Sequence, residues 1–221
     1  MKPFSQSCEN NRQPILEVLL KCFALQNRIL EIGSGTGQHA VYFSEFLTDL
    51  IWQTSDRQQN HKGINQWIDG LSVGNLERPL ELDVEKAENW DNLAALQRMN
   101  PVNGAFTANT VHIMPWDSVE KMFSGVGRLF SIADNNGVST RGRFVVYGPF
   151  NRDSEFTSSG NAAFHQQLRE SDPLMGIRND RDVFELADRS ALELTDDIDM
   201  PANNRVLVFD YSKSRKFKAL L

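Results

Sequence analysis

The chain has 221 residues, of which 40% are hydrophobic and 24% charged, ordinary proportions for a globular protein. They exclude a largely disordered chain, a collagen and a coiled coil, and no run approaches the roughly 18 apolar residues of a membrane span. The formal net charge of −6 opposes broad nucleic-acid contact, which needs a basic surface to displace counterions.

At this length a single domain over 1–221 is the expectation. The opening MKPFSQSCENNR is polar and lacks the apolar core of a secretory signal. Cys8 and Cys22 are too few for a disulfide framework or a zinc site, so a reducing, cytoplasmic setting with no membrane partner is expected.

An N-terminal helical segment is placed at 1–27. Its helix starts at Pro14, which suits a first helical position, and carries Ile15, Val18, Leu19 and Cys22 at helical spacing. Residues 28–32 read as a strand that stops at glycines. A helix at 38–48, a strand at 50–55, a helix at 57–70, a strand at 79–84 and a helix at 86–99 follow. A strand begins the stretch 104–113, and 116–135 is a long amphipathic helix. Residues 143–150 form a strongly apolar, central strand. A polar loop over 151–160 and a short helix over 161–170 lead to a helix at 180–191 and closing strands at 192–198 and 205–211. The alternation implies right-handed βαβ units in a mainly parallel α/β sheet, and the last two strands, with no helix between them, imply an antiparallel finish. The tail carrying Lys213, Arg215, Lys216 and Lys218 reads as a solvated end.

The most informative stretch is LEIGSGTG, 30–37. It follows a predicted strand and opens a helix, the context in which a glycine loop binds ligands. Glycines allow a tight turn and a close approach of the backbone, and N–H groups at the helix start bind polar or anionic groups. The dinucleotide pattern G-x-G-x-x-G fits Gly33 and Gly35, but Gln38 stands where its third glycine belongs. The actual pattern is G-x-G-x-G, with Glu31 two residues ahead. It resembles motif I of the class I S-adenosylmethionine-dependent methyltransferases. The resemblance implies S-adenosyl-L-methionine as cofactor, with Glu31, Gly33, Ser34, Gly35, Thr36 and Gly37 as candidate binding residues. Asp56 lies 19 residues after Gly37, at the end of the second predicted strand, where an acid accepts hydrogen bonds from both ribose hydroxyls. The resemblance further implies Asp83 near the adenine amino group, the Val84 backbone N–H on the adenine ring, and Asn109 at the motif IV position.

Six longer segments carry a closer resemblance: SCENNRQPILEVL, LEIGSGTGQHAVYFSE, TANTVHIMPW, YGPFNRDSEFTSSGNAAF, DPLMGIRNDRDV and PANNRVLVF. Together they resemble the methyltransferase-like protein twenty-six family over nearly the whole chain. That resemblance implies a Rossmann-like class I methyltransferase fold: a seven-stranded, mainly parallel sheet in the order 3-2-1-4-5-7-6, strand 7 antiparallel, with helices on both faces. It implies no particular methyl acceptor.

Methyl transfer is an in-line displacement in which the cofactor carries the reactive group and the protein aligns the nucleophile. No catalytic residue is assigned from the sequence. Asn109 is followed by Thr110, Val111 and His112, unlike the Asn/Asp-Pro-Pro-Tyr of amino-directed methyltransferases. His112 is read either as a base or substrate contact at the mouth of the sheet, or as a packed residue bonded to backbone. The polar run Glu9, Asn10, Asn11, Arg12 either caps the first helix or folds over the cofactor, with Arg12 clamping a carboxylate. Asn11 and Tyr147 complete the candidate substrate contacts. The excursion 151–178, long for an α/β connection, either lines a substrate site through Phe156, Phe164, Met175 and Arg178 or is simply packed. His39, His61, His112 and His165 show no metal-ligand spacing, so no metal is expected. The expected activity is methyl transfer to a small-molecule acceptor. The alternatives are a non-catalytic S-adenosylmethionine-binding module and a nicotinamide-dependent reductase.

Overall fold

The computed structural model describes residues 2–71, 73–97, 99–135 and 141–213. Of the basic tail, Arg215, Lys216 and Lys218 lie outside the described residues, while Lys213 pairs with Asp134 at 2.8 Å. The strands are β1 (Arg28–Ile32), β2 (Ile51–Asp56), β3 (Leu76–Glu81), β4 (Gly104–Ala108), β5 (Arg143–Gly148), β6 (Phe150–Asn151), β7 (Arg178–Asn179), β8 (Leu192–Met200) and β9 (Asn204–Tyr211). Seven of them form one sheet in the order β3-β2-β1-β4-β5-β9-β8, and the two-residue pieces β6 and β7 pair separately. β1 to β5 are mutually parallel, and β9 is antiparallel to both its neighbours. With β6 and β7 set aside, this is the expected strand order of a Rossmann-like methyltransferase fold.

Both faces of the sheet are covered, so the central strands read as continuous apolar runs. Val145, Tyr147, Val206 and Val208 face α1 (Gln6–Cys22) and α2 (Gln38–Phe46), with α3 (His61–Ile68) beside α2. Phe144, Val146, Leu207 and Phe209 alternate to the other face, under α4 (Ala87–Leu96), α5 (Trp116–Asn135) and α7 (Asp180–Arg189). On the first face Phe43, Trp52 and Phe106 meet at centroid distances of 5.5–5.7 Å in tilted or edge-on pairs, the geometry that ring quadrupoles favour. Helix α6 (Ser159–Ser171) lies in the excursion between β6 and β7. No helix among the described residues is long and apolar enough to cross a membrane.

Two elements depart from expectation. Helix α1 begins at Gln6, not Pro14; Ser5 is its N-cap and accepts from the Cys8 N–H. Pro14 is therefore interior and deprives the Asn10 carbonyl of its helical donor. The helix continues through it because Ile15, Leu16 and Leu19 are buried against the sheet, a tertiary gain invisible to local propensity. Strand β3 runs from Leu76, earlier than expected. As the edge strand it tolerates Pro79, whose missing N–H removes no sheet bond. A register shift opposite Gln53 to Ser55 is filled by side chains: Gln53 Nε2 donates to the Arg78 carbonyl at 2.7 Å and Thr54 Oγ1 to the Glu77 carbonyl at 2.8 Å. Strand β3 ends at Glu81, so Asp83 lies beyond it instead of closing it.

The excursion is braced from β9 by Arg205, whose side chain is 3% exposed. It bonds Asp180 of α7 at 2.9 Å, the Asp197 carboxylate of β8 and the Asn151 carbonyl of β6. Arg205→Ala leaves the buried Asp180 carboxylate without its counter-charge, while the partly exposed Asp197 keeps Arg152 at 3.9 Å. We expect it to cost about 3–5 kcal/mol in urea unfolding; a loss below about 1 kcal/mol contradicts this bracing role.

Candidate functional site

The loop after β1 turns through three left-handed glycines, with φ of +74° at Gly33, +57° at Gly35 and +90° at Gly37. Two are also fixed by close neighbours: a Cβ on Gly33 would lie 2.8 Å from Thr110 Cγ2, and one on Gly37 3.1 Å from the Ile64 backbone. At Gly35 a Cβ would meet nothing within 4 Å. There the backbone borders open space.

Glu31 holds this loop from beneath. Its side chain is buried at 2% exposure, and Oε2 accepts from Ser34 Oγ at 2.7 Å and Trp52 Nε1 at 3.2 Å. Burial pushes its carboxyl up to about 7, against the pull of those two donors and with a further push from Asp56. Asp56 holds the loop from the side: Oδ2 accepts the Gly35 N–H at 2.7 Å, and Oδ1 accepts the Arg57 N–H and Asn60 Nδ2. Both acids shape the loop, and neither lines the adjoining cleft.

That cleft, about 600 Å³, lies beyond the carboxyl ends of β1, β4 and β5. Gly33 to Thr36 form one wall and Asn109, Thr110 and His112 another. Asn109 itself has φ +58° and donates its N–H to the Tyr147 carbonyl, while Thr107 Oγ1 links the Ile32 carbonyl to Thr110 Oγ1. Ser5, Ser7, Cys8, Asn10 and Asn11 at the α1 end border it, with Tyr147 at depth and Asn161, Phe164 and Asn204 opposite.

Helix α1 is tied over the loop by Gln38, the residue that replaces the third dinucleotide glycine. Gln38 Oε1 accepts from the Ser5 N–H at 2.5 Å, and Nε2 donates to the Ser5 carbonyl and to Glu9 Oε1 at 2.8 Å. Next to it, the Asn11 carboxamide lies 2.7 Å from His39 Nε2 and also bonds the Tyr147 hydroxyl. The His39 ring bonds the Cys8 carbonyl, and burial lowers it to about 4. His112 is also lowered to about 4, by burial and then by the nearby Arg178 charge. Its ring meets Phe164 edge-on at 5.4 Å.

The candidate residues therefore divide. Gly33, Ser34, Gly35, Thr36, Asn109, Asn11, His112 and Tyr147 come together in the cleft. Glu31, Gly37 and Asp56 lie behind or beside it. Asp83 and Val84 do not line it: the Asp83 N–H is taken by Asn89 Oδ1 at 2.9 Å, and Val84 borders a separate hollow with Trp90 and Asp117. The Arg12 expectation is corrected. Its guanidinium pairs with Glu9 at 2.9 Å and lies 4.6 Å over the Tyr42 ring, away from the cleft. The run from Glu9 to Arg12 is inside α1, so it does not cap that helix. Sequence reasoning missed Gln38, His39, Asn161 and Asn204; only the departure from glycine at position 38 hinted at the first. Among the described residues, no three His, Cys, Asp or Glu side chains gather in a way that could hold a metal ion.

The family described as "protein of unknown function (DUF938)" matches residues 2–211. The chain belongs to the DUF938 family. Its fold is similar to that of an O-methyltransferase family protein from Burkholderia thailandensis, with a TM-score of 0.75 at 13% identity over 93% of this chain and 57% of the other. It is also similar to human N-acetylserotonin methyltransferase solved in complex with S-adenosylmethionine, with a TM-score of 0.72 at 10% identity over 94% and 53% of the two chains. The S-adenosylmethionine-dependent methyltransferase SibL matches with a TM-score of 0.70 at 14% identity over 94% and 56%. The chain spans a little over half the length of these solved structures, and at such identities the likeness is one of fold.

Glu31 also yields a pH signature. Its folded pKa lies above its unfolded value of 4.5, so its penalty is absent below about 4.5, grows as pH rises through 7 and is complete above that. Glu31→Gln keeps the shape and removes this penalty. Relative to the parent, the variant should gain about 3 kcal/mol between pH 4 and pH 8.5 in urea unfolding of the ligand-free protein. A difference that does not change with pH overturns the shift.

Proposed function

We propose that this DUF938 chain is an S-adenosylmethionine-dependent methyltransferase acting on a small-molecule acceptor, without nucleic-acid or membrane partners. The observation that carries the reading is Gly35: a left-handed glycine whose Cβ direction is open, in a G-x-G-x-G loop that forms one wall of the cleft. The fold likeness to proteins titled as S-adenosylmethionine-dependent methyltransferases supports it, as does the resemblance of the longer segments to the methyltransferase-like protein twenty-six family. The two free thiols, Cys8 and Cys22, suit a cytoplasmic setting.

The residues present fit this cofactor. A ligand can reach the Gly33–Thr36 backbone closely, with Asn109 across from it and hydroxyls of Ser34 and Thr36 at hand. Asp56 stands beside the cleft and outside its lining; it keeps about one acceptor site after its three protein donors, which a ribose hydroxyl reaching past Gly35 would take. In the reductase alternative, the third glycine position would be kept bare for close packing of the helix on the strand; here it holds Gln38, whose carboxamide is buried and committed to α1. When bound, the cofactor supplies an electrophilic methyl group. The protein's part is alignment: loop and α1 end enclose one side, and the neutral His112 imidazole offers a lone pair on the acceptor's side.

Calorimetric titration with S-adenosylmethionine, and in parallel with NADH and NADPH, tests this reading. Micromolar binding of the first alone is expected. Asp56→Ala should weaken it by about 2 kcal/mol, roughly thirtyfold, and Gly35→Val should abolish it while circular dichroism stays that of the folded chain. Normal binding by Gly35→Val would reduce the loop to a turn.

A further inference from the structure

The cleft carries no ionised side chain. Among its described lining residues there is no Asp, Glu, Lys or Arg; its polar groups are carboxamides, hydroxyls, a thiol and two imidazoles. The nearest ionised groups turn elsewhere. Glu9 is taken by Gln38 and Arg12. Arg178 lines a different hollow, with Trp116 and Asn151. Its guanidinium is committed to the carbonyls of Val111, Met114 and Leu174. The glycine-loop end, with its polar groups and the nearby Asp56 carboxylate, is where the cofactor's own charges would be met; a charge on an acceptor desolvated between His112, Phe164 and Ile113 would find no ionised side chain in the lining, and an unpaired buried charge is costly. The mouth is apolar: Ile113 and Phe164 border it and stay 45% and 36% exposed.

Building on the proposed methyl transfer, we infer that the acceptor is an uncharged hydroxyl compound with a flat apolar body, its hydroxyl on the His112 imidazole and its body against Phe164 and Ile113.

The proton balance leads to the same class. The acceptor oxygen forms its bond to the methyl carbon as the carbon–sulfur bond breaks, and that electron pair leaves with sulfur. The oxygen is then an oxonium and must shed its proton. The groups around His112 are Phe164 from α6, the Gly148 backbone at the end of β5 and Arg178 from β7; none is an acid that would raise its basicity. Even at a pKa of about 4, the imidazole is a far stronger base than a methylated hydroxyl, so it takes that proton and passes it to solvent. An alkylamine acceptor, with a pKa of about 10, arrives as an ammonium with no lone pair for the methyl carbon, and His112, at about 4, is too weak a base to remove that proton first.

The test uses the full chain and matched probes. Methyl 4-hydroxybenzoate and 4-hydroxybenzoate differ in one carboxylate charge, and tyrosol and tyramine in one ammonium. After titration with S-adenosylmethionine, binding of each probe to the S-adenosylhomocysteine-loaded protein is read by saturation-transfer NMR. The neutral member of each pair should bind at least about tenfold more tightly, a difference of about 1.4 kcal/mol. Phe164→Arg, at the partly exposed lip, should shift the first pair towards its carboxylate. Equal or tighter binding of the charged members, or no binding by either neutral probe, overturns the inference while leaving cofactor binding intact. Failure to bind S-adenosylmethionine overturns the underlying reading, and the inference falls with it.

Discussion

A buried carboxyl group sets the geometry on which the rest depends. Glu31 joins Ser34, on the glycine loop, to the indole of Trp52, which packs against Phe43 and Phe106 between the sheet and α2. The loop is thus anchored to the aromatic core through one oxygen atom. Moving Trp52 or removing the acceptor would release Ser34, whose own N–H and hydroxyl connect to the end of β2. Burial makes this anchor expensive when ionised, so the loop's support is coupled to pH near neutrality.

Around that anchor the cleft is assembled from distant parts of the chain. Gln38 and His39 begin α2 in the ordinary way, yet their side chains reach back about thirty positions to Ser5, Glu9 and Asn11. From the other side Arg205 draws β6, β8 and α7 together and fixes the base of the excursion that presents Asn161 and Phe164. Each charged group in this scaffolding is paired outside the cleft. The interior is left to amides, hydroxyls, a thiol and neutral rings.

Local pattern carried much of this fold. The strand at 28–32 and the helix at 116–135 were legible to the residue, because an apolar run ending at glycine and a long amphipathic repeat leave little choice. The glycine loop and Asp56 were legible as neighbours, since strand order brings the ends of β1 and β2 together. What was not legible came from tertiary contact. A proline that usually starts a helix sits inside α1 because buried leucines and an isoleucine outweigh one missing hydrogen bond. Strand β3 lies three residues earlier in the chain than its apolar run suggests and ends at Glu81, which leaves Asp83 past the strand end. The direction of Arg12, away from the cleft, depended on Glu9 and the Tyr42 ring, and no spacing rule contains that information.

The cleft takes residues from Ser5 to Asn204, nearly the full described length of the chain. A ligand that fills it therefore touches elements that come together only in the folded state. Its binding energy is then linked by mass action to unfolding of the whole structure and not to the opening of one loop, adding about 2.7 kcal/mol at a hundredfold excess over the dissociation constant. Melting temperature thus becomes a direct gauge of occupancy, and a ligand can be recognised by the heat the protein survives before any reaction is known.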